Sequence, residues 1–320
     1  MVEAIYYENF LEGEYMKSVQ CSLDEMSHEE LIRLEQKLGD RISEYLTPIT
    51  IIRPGDTRLP PGDLHGTGAY VELDGMRYIL TCEHVAAGMA KSQLAASFHG
   101  AEIAFTLDNP FSALTYPVDI AITAITEHTW NLVPHRAKSI PIELFAKRHE
   151  PIPGELMLIL GVPGESGHAW PPAEPSGDGV YFYTTNSIVC EVQEYFGPEL
   201  ANEVPLPREG FHFLLPYVPE VAVNVNDKGS SSLPRAPGLS GSLVWNTRYL
   251  EVTAAGKEWC PEDARVTGIV WGNSTKAGVL VATPVEYFWE LFDHARRCVA
   301  TDQPYWTPPP SFNGTKDSPI

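Results

Sequence analysis

Cysteine is scarce in this chain, and positive charge is outnumbered. Five cysteines, at positions 21, 82, 190, 260 and 298, are spread over 320 residues. An odd, scattered set makes no disulfide framework and fits reduced thiols in a cytoplasmic protein. Lys and Arg number 22 against 42 Asp and Glu, a formal charge of −20. Phosphate contacts need clustered basic side chains, so a nucleic-acid surface is not expected. No run approaches about 18 apolar residues, so no membrane partner or span is expected. The opening Met1-Val-Glu-Ala-Ile-Tyr-Tyr-Glu-Asn9 has no basic segment and no apolar stretch of signal-peptide length. His-Glu-x-x-His, paired Cys-x-x-Cys, Gly-x-x-x-x-Gly-Lys-Ser/Thr and Gly-x-Gly-x-x-Gly are all missing. No metal and no cofactor is therefore expected.

What is present suits a loop-rich, mainly β protein. The chain is 43% apolar and holds 28 prolines and 25 glycines. Two six-stranded antiparallel barrels would need about 200–250 residues. Residues 1–48 read as an N-terminal extension with one amphipathic helix. Its start is the capping box Ser27-His-Glu-Glu30, its apolar stripe is Leu31, Leu34, Leu38, Ile42 and Leu46, and Pro48 marks its stop. The stripe is expected to pack on the first barrel. Residues 49–150 read as that barrel, 151–300 as a second barrel with a closing helix, and 301–320 as a disordered tail. Three Pro/Gly-rich stretches, 163–179, 197–210 and 224–237, read as exposed loops.

Three positions carry possible chemistry. Ser240 lies in Gly238-Leu239-Ser240-Gly241-Ser242, just ahead of an apolar strand. A serine hydroxyl needs a base and amide donors for the oxyanion it creates. A glycine-flanked turn can aim the N–H groups of Gly238 and Ser240 at one point. His84 follows a predicted hairpin, Ala69 to Leu73 and Met76 to Thr81 around Asp74-Gly75. Asp119 heads the apolar run Val118 to Ile125, where a carboxylate is costly to bury without a partner. The order His84, Asp119, Ser240 is a known triad order.

These residues sit in short motifs that resemble the trypsin-like serine proteases of the chymotrypsin fold, closest to bacterial HtrA-type and glutamyl-endopeptidase-like members. The motifs are Gly66-Thr-Gly68, Thr81-Cys-Glu-His84-Val-Ala86, Asp119-Ile-Ala121, Gly161-Val-Pro-Gly164, Thr267-Gly-Ile-Val-Trp-Gly272 and Ala277-Gly-Val-Leu-Val281. The resemblance implies a serine endopeptidase with His84, Asp119 and Ser240 as triad and Gly238 and Ser240 as oxyanion donors. It also implies a substrate pocket near Pro234, Val270, Trp271, Gly272 and Gly278. No acidic residue is placed at that pocket's base, so small or medium apolar side chains are expected there. Leu239 departs from the family aspartate that pairs with a new N-terminus, and Ser242 replaces a glycine and is expected to narrow the site.

Other readings use the same residues. Asp263 and His294 follow Ser240 in the order of an α/β-hydrolase, and Cys82 is a thiol two residues from His84. The domain could also be an inactive trypsin-like module that binds a peptide or a partner. The partner expected of an active enzyme is a protein or peptide substrate. An always-open cytoplasmic protease would damage its host, so restraint by a regulatory protein or by a strict substrate is expected. By analogy, such bacterial proteins act as effectors in antiviral (anti-phage) defence.

Overall fold

The computed structural model describes residues 3–6, 26–58, 61–101, 103–164, 185–190, 200, 203, 205–219, 223–224 and 234–300. The 301–320 tail and most of the three long loops lie outside them.

Strand β1 (Glu3–Tyr6) precedes helix α1 (His28–Ser43). The first sheet follows as β2 (Leu46–Ile52), β3 (Asp63–Leu73), β4 (Met76–Thr81), β5 (Gln93–Ser97), β6 (Ala104–Thr106), β7 (Ser112–Leu114) and β8 (Ile120–Ile125). Its order is β6-β5-β2-β3-β4-β8-β7, with β9 (Ile140–Pro141) paired to β3. The second sheet uses β10 (Leu156–Gly161), β11 (Thr185–Cys190), β12 (Phe213–Pro216), β13 (Val223–Asn224), β14 (Leu243–Asn246), β15 (Arg265–Ser274) and β16 (Val279–Pro284). Its order is β12-β16-β15-β14-β10-β11-β1-β13. Two short helices, α2 (Glu83–Ala86) and α3 (Glu127–Trp130), belong to the first half. Helix α4 (Tyr249–Ala254) and the closing helix α5 (Phe288–Ala300) belong to the second. The protein is mainly β, and its two sheets are consistent with a chymotrypsin-like two-barrel fold.

The strands form where the sequence alternates or runs apolar. Asp74 (φ 52°) and Gly75 (φ 80°) both take positive φ, as a two-residue turn between β3 and β4 requires. Strand β10 is buried on both faces: Leu156, Leu158 and Leu160 enter the larger core, while Met157 and Ile159 enter a second, smaller one. Period-two geometry divides them in this way.

Four expectations need correction. Among the described residues each sheet holds eight strands rather than six: β1 and β13 add to six in the second, and β9 adds to a path of seven in the first. The pairing is antiparallel except for β1 with β11 and β3 with β9. The capping box at Ser27 forms, but α1 ends at Ser43 and Pro48 lies inside β2. Finally, Leu31, Leu34, Leu38 and Ile42 are buried, but α1 packs on β10, β11 and the turn Pro261–Asp263 of the second half. Tyr45, just past the helix, stacks on Trp245 at 6.1 Å. Conversely, α5 crosses back to β7 and β8 of the first sheet, where Phe292 meets Phe145 edge-on at 5.2 Å. Among the described residues no helix is long and apolar enough to cross a membrane.

Candidate active site

Asp119 stands just before β8 with a left-handed backbone (φ 51°), which aspartate tolerates better than most residues. Its residue exposure is 5%, and both carboxylate oxygens are engaged by one neighbour. Oδ2 bonds His84 Nδ1 at 2.7 Å, and Oδ1 accepts from the His84 backbone N–H at 2.9 Å. That N–H lies in the first turn of α2, where no i−4 carbonyl exists to receive it. Asp119 thus caps the helix that carries His84 and fixes the ring's Nδ1 edge. Two bonds to an ionised acceptor offset the cost of burying it. The outer part of the His84 side chain remains open, at 45% exposure.

The Ser240 turn is held by contacts that only glycine permits. Gly238 (φ 100°) lies so close to the 162–164 loop that a Cβ would meet Gly164 N at 2.5 Å. At Gly241 (φ 94°) a Cβ would meet Thr67 O at 1.8 Å. Thr67 is the hub between the halves. Its Oγ1 donates to Gly238 O (2.8 Å) and accepts from Val162 N–H (3.0 Å), and its N–H donates to Ser240 O (2.8 Å). Flanking Gly66 has room for no Cβ either, being wedged between Val85 and Ser240 O. One carbonyl, Val270 O, accepts Gly241 N–H (2.8 Å) and Cys82 Sγ–H (3.2 Å) together. The residue after Ser240 and the residue two before His84 therefore share one acceptor. The N–H groups of Gly238 and Ser240 have no acceptor among the described residues.

Ser240 itself departs from expectation. Its Oγ donates to Trp271 O at 3.3 Å and makes no hydrogen bond to His84. Beside the imidazole lies a cavity of about 460 Å³, walled by Glu83, His84, Tyr116, Asp119, Glu203 and Trp271. Gly272 also lines it, whereas Ser240, Val270 and Gly278 do not. Val270 is 1% exposed in the smaller core, so its side chain is not available to a substrate. Gly278 packs against Val218 instead. A bulge in β15 between Val270 and Gly272 explains this split, because an extra residue re-aims the side chains on either side.

Ser242 does not narrow the site: it is fully buried with Oγ facing Gly161. Leu239 fills the smaller core, which accounts for an apolar residue there. Cys82 is fully buried, and burial pushes its thiol well above the ordinary range, so it is no nucleophile. The donor atoms of Cys82, His84 and Asp119 lie within 4.8 Å of one another. However, a protonated thiol and a carboxylate already doubly bonded are poor metal ligands. Asp263 is tied to Cys260 N–H and His294 sits against Cys298 on α5, so neither forms an elbow triad with Ser240.

Three neighbours of the site carry no signal of their own in the sequence: Thr67 lies within Gly66-Thr-Gly68, Glu83 beside His84, and His212 in a stretch without a motif. His212, 5% exposed, donates from Nε2 to Pro117 O (2.8 Å), two residues before Asp119, and accepts at Nδ1 from Arg208 N–H (2.9 Å). Accepting at Nδ1 while Nε2 donates requires a neutral ring. Burial pushes its pKa down; the Pro117 carbonyl and Asp119 pull it up, and Arg208 opposes them. A histidine with a folded pKa below its unfolded value of about 6.5 stabilises fully above that pH. The contribution is lost as pH falls through the folded-state value. Tm should therefore drop between pH 7.5 and 5.5, and drop less in His212→Gln. Part of the loss will remain, because burial lowers His65, His99 and His294 as well. Equal acid sensitivity in variant and parent would remove His212 from this role.

No protein-family model and no curated protein matches the chain. Among solved structures it is similar to the Rv3671c protease from M. tuberculosis in its active form. Identity is 16%, coverage 95% of this chain and 96% of that one, and the TM-score 0.45. It is also similar to a chain from work on aromatic interactions in the coupled folding and binding of the Sesbania mosaic virus VPg protein. There identity is 15%, coverage 79% of this chain and 91% of that one, and the TM-score 0.42.

Proposed function

We propose that the chain is a trypsin-like serine endopeptidase in which Ser240, His84 and Asp119 act as a triad. The supporting observation is the buried Asp119 carboxylate on His84 Nδ1 at 2.7 Å, on a helix hooked to the same carbonyl as the Ser240 turn. In this reading Ser240 Oγ bonds to the peptide carbonyl carbon and its proton passes to His84 Nε2. The Gly238 and Ser240 N–H groups hold the oxyanion, each worth about 3 kcal/mol by analogy with other hydrolases. The proton then goes to the leaving amine as the C–N bond breaks, and water releases the acyl group by the same route in reverse. Asp119 keeps the imidazole tautomer and balances the imidazolium.

A second reading is an inactive peptide-binding domain on the same fold, favoured by the Ser240 hydroxyl facing Trp271 O rather than the imidazole. The active reading takes that same rotamer as a resting state, released by a protein partner or by the substrate itself. A fluorophosphonate probe separates the two. The active enzyme labels, and labelling disappears in both Ser240→Ala and His84→Ala. Absence of labelling in the parent, alone and with peptide substrates present, would leave the binding reading.

A further inference from the structure

A second cavity, of about 500 Å³, lies at the end of β14 that leads away from the Ser240 turn. Lys147, Arg148, Arg248 and Arg265 line it, four of the 22 basic residues in a chain of charge −20. Two carboxylates, Glu150 and Glu251, line it as well. Glu251 is committed to Arg248, whose guanidinium donates to both of its oxygens at 2.8 and 2.5 Å. Glu150 reaches Arg148 only at 3.9 Å, between two exposed side chains, a contact worth little in water. Lys147 and Arg265 have no carboxylate partner among the described residues. The wall therefore keeps two uncompensated positive charges.

Arg265 is anchored with one edge left over. Its Nη1 donates to the carbonyls of Glu262, Asp263 and Ala264 at 2.6, 3.0 and 2.8 Å. The Nε–Nη2 edge has no acceptor among the described residues and is not enclosed. Burial and then Arg248 push the Arg265 pKa down, with Asp263 and Glu251 opposing. Asn246 gives an independent sign of a ligand. It stands opposite Arg265 across β14 and β15, so the two side chains share a face. The residue is only 9% exposed, and its Oδ1 accepts from Arg248 N–H at 2.9 Å. Its Nδ2 has no acceptor among the described residues, yet it is not enclosed. The Asn246 backbone is set between β10 and β15, so this amide is what the residue offers to the cavity. A donor at that depth is normally paired.

We propose that this cavity binds a compact phosphate-type oxyanion, free phosphate or pyrophosphate, with the Nε–Nη2 edge of Arg265, the Asn246 amide and the Lys147 ammonium as its donors. An arginine edge matches two oxygens of one phosphoryl group. The volume has room for a larger ligand, but no aromatic ring among the described residues lines it to stack a base. The molecule's negative charge disfavours a long polyanion. Residues 146–150 belong to the segment joining β9 to β10, so the bound anion ties that link to the second sheet. The inference is independent of the peptidase reading.

The test is isothermal titration calorimetry on the full chain, in phosphate-free buffer of about 100 mM ionic strength. Phosphate and pyrophosphate are titrated separately. At least one should give saturable heat, and the tighter of the two shows whether the site takes one phosphoryl group or two. No saturable heat from either up to about 10 mM would overturn the site. Arg265→Gln should weaken binding about tenfold, as expected for loss of a charge-assisted pair. That change also disturbs the carbonyl anchors, so Lys147→Gln is the second variant. Lys147 is exposed and has no bond of its own to lose, and the change should weaken binding severalfold while leaving the ligand-free Tm unchanged. Lys91→Gln, which removes an exposed cation of the first half, should leave affinity as it is. Unchanged affinity in Lys147→Gln or Arg265→Gln would place the anion elsewhere and overturn the site. An equal loss in Lys91→Gln would mean that overall charge is being read, with the same consequence. ATP binding more than tenfold tighter than pyrophosphate would overturn the compact ligand.

Discussion

Asp119→Asn should lower peptide turnover by about 10⁴ while the protein stays folded. The reason lies in the two oxygens. An asparagine Oδ1 can still accept the His84 backbone N–H now held at 2.9 Å, so α2 remains capped. The other contact changes sign. The carboxylate Oδ2 receives a proton from Nδ1 at 2.7 Å, whereas an asparagine NH₂ donates. The imidazole must then present a lone pair at Nδ1 and carry its proton on Nε2, the nitrogen that in the proposed triad accepts from Ser240. Loss of compensation for the imidazolium adds to the effect. Steady-state kinetics with the best peptide, circular dichroism, and imidazole NMR for the tautomer check the prediction together. A variant within tenfold of the parent would show that Asp119 only supports the fold.

Gly241→Ala should be the most destabilising single-methyl change in the molecule's centre, costing more than about 4 kcal/mol or preventing folding. Two effects add. The residue has φ 94°, where an L side chain is strained, and its Cβ would sit 1.8 Å from Thr67 O, a backbone atom fixed in β3. A carbonyl in a sheet cannot move aside as a flexible side chain can. Gly55→Ala isolates the first effect, because Gly55 has φ 81° and nothing within 4 Å of its Cβ. That control should lose only about 1 kcal/mol. Denaturant midpoints of both variants decide the matter. A Gly241→Ala protein as stable as Gly55→Ala would mean that the turn and β3 are not locked together.

The sequence made the local elements legible where the pattern is short-range. Ser27 and Glu30 form the capping box, and Asp74-Gly75 makes the turn between strands that run Asp63–Leu73 and Met76–Thr81. The pairing of His84 with Asp119 followed from a costly carboxylate that needed a donor. What failed was long-range or register-dependent. Strand β1 has only four residues and takes its partners from β11 and β13, far along the chain. The helical stripe predicts that α1 packs but not on which sheet; its contacts with β10 and β11, and the Tyr45–Trp245 stack beside it, lie on the second. The bulge at Trp271 separates Val270 from Gly272 in a way alternation cannot foretell. Thr67 gave no signal beyond its flanking glycines, since its role depends on Gly238, Val162 and Ser240 all arriving.

The two ends of the chain are exchanged between the halves. Strand β1 and helix α1 belong to the second sheet's surroundings, and α5 lies on β7 and β8 of the first. Nicking the segment between β9 and β10 would consequently not free two fragments. Each piece would still be gripped through an element contributed by the other, so separation would require unfolding rather than simple dissociation. Two separately produced fragments should be poorly soluble alone, each exposing the apolar seat of its missing helix, and should regain order when mixed.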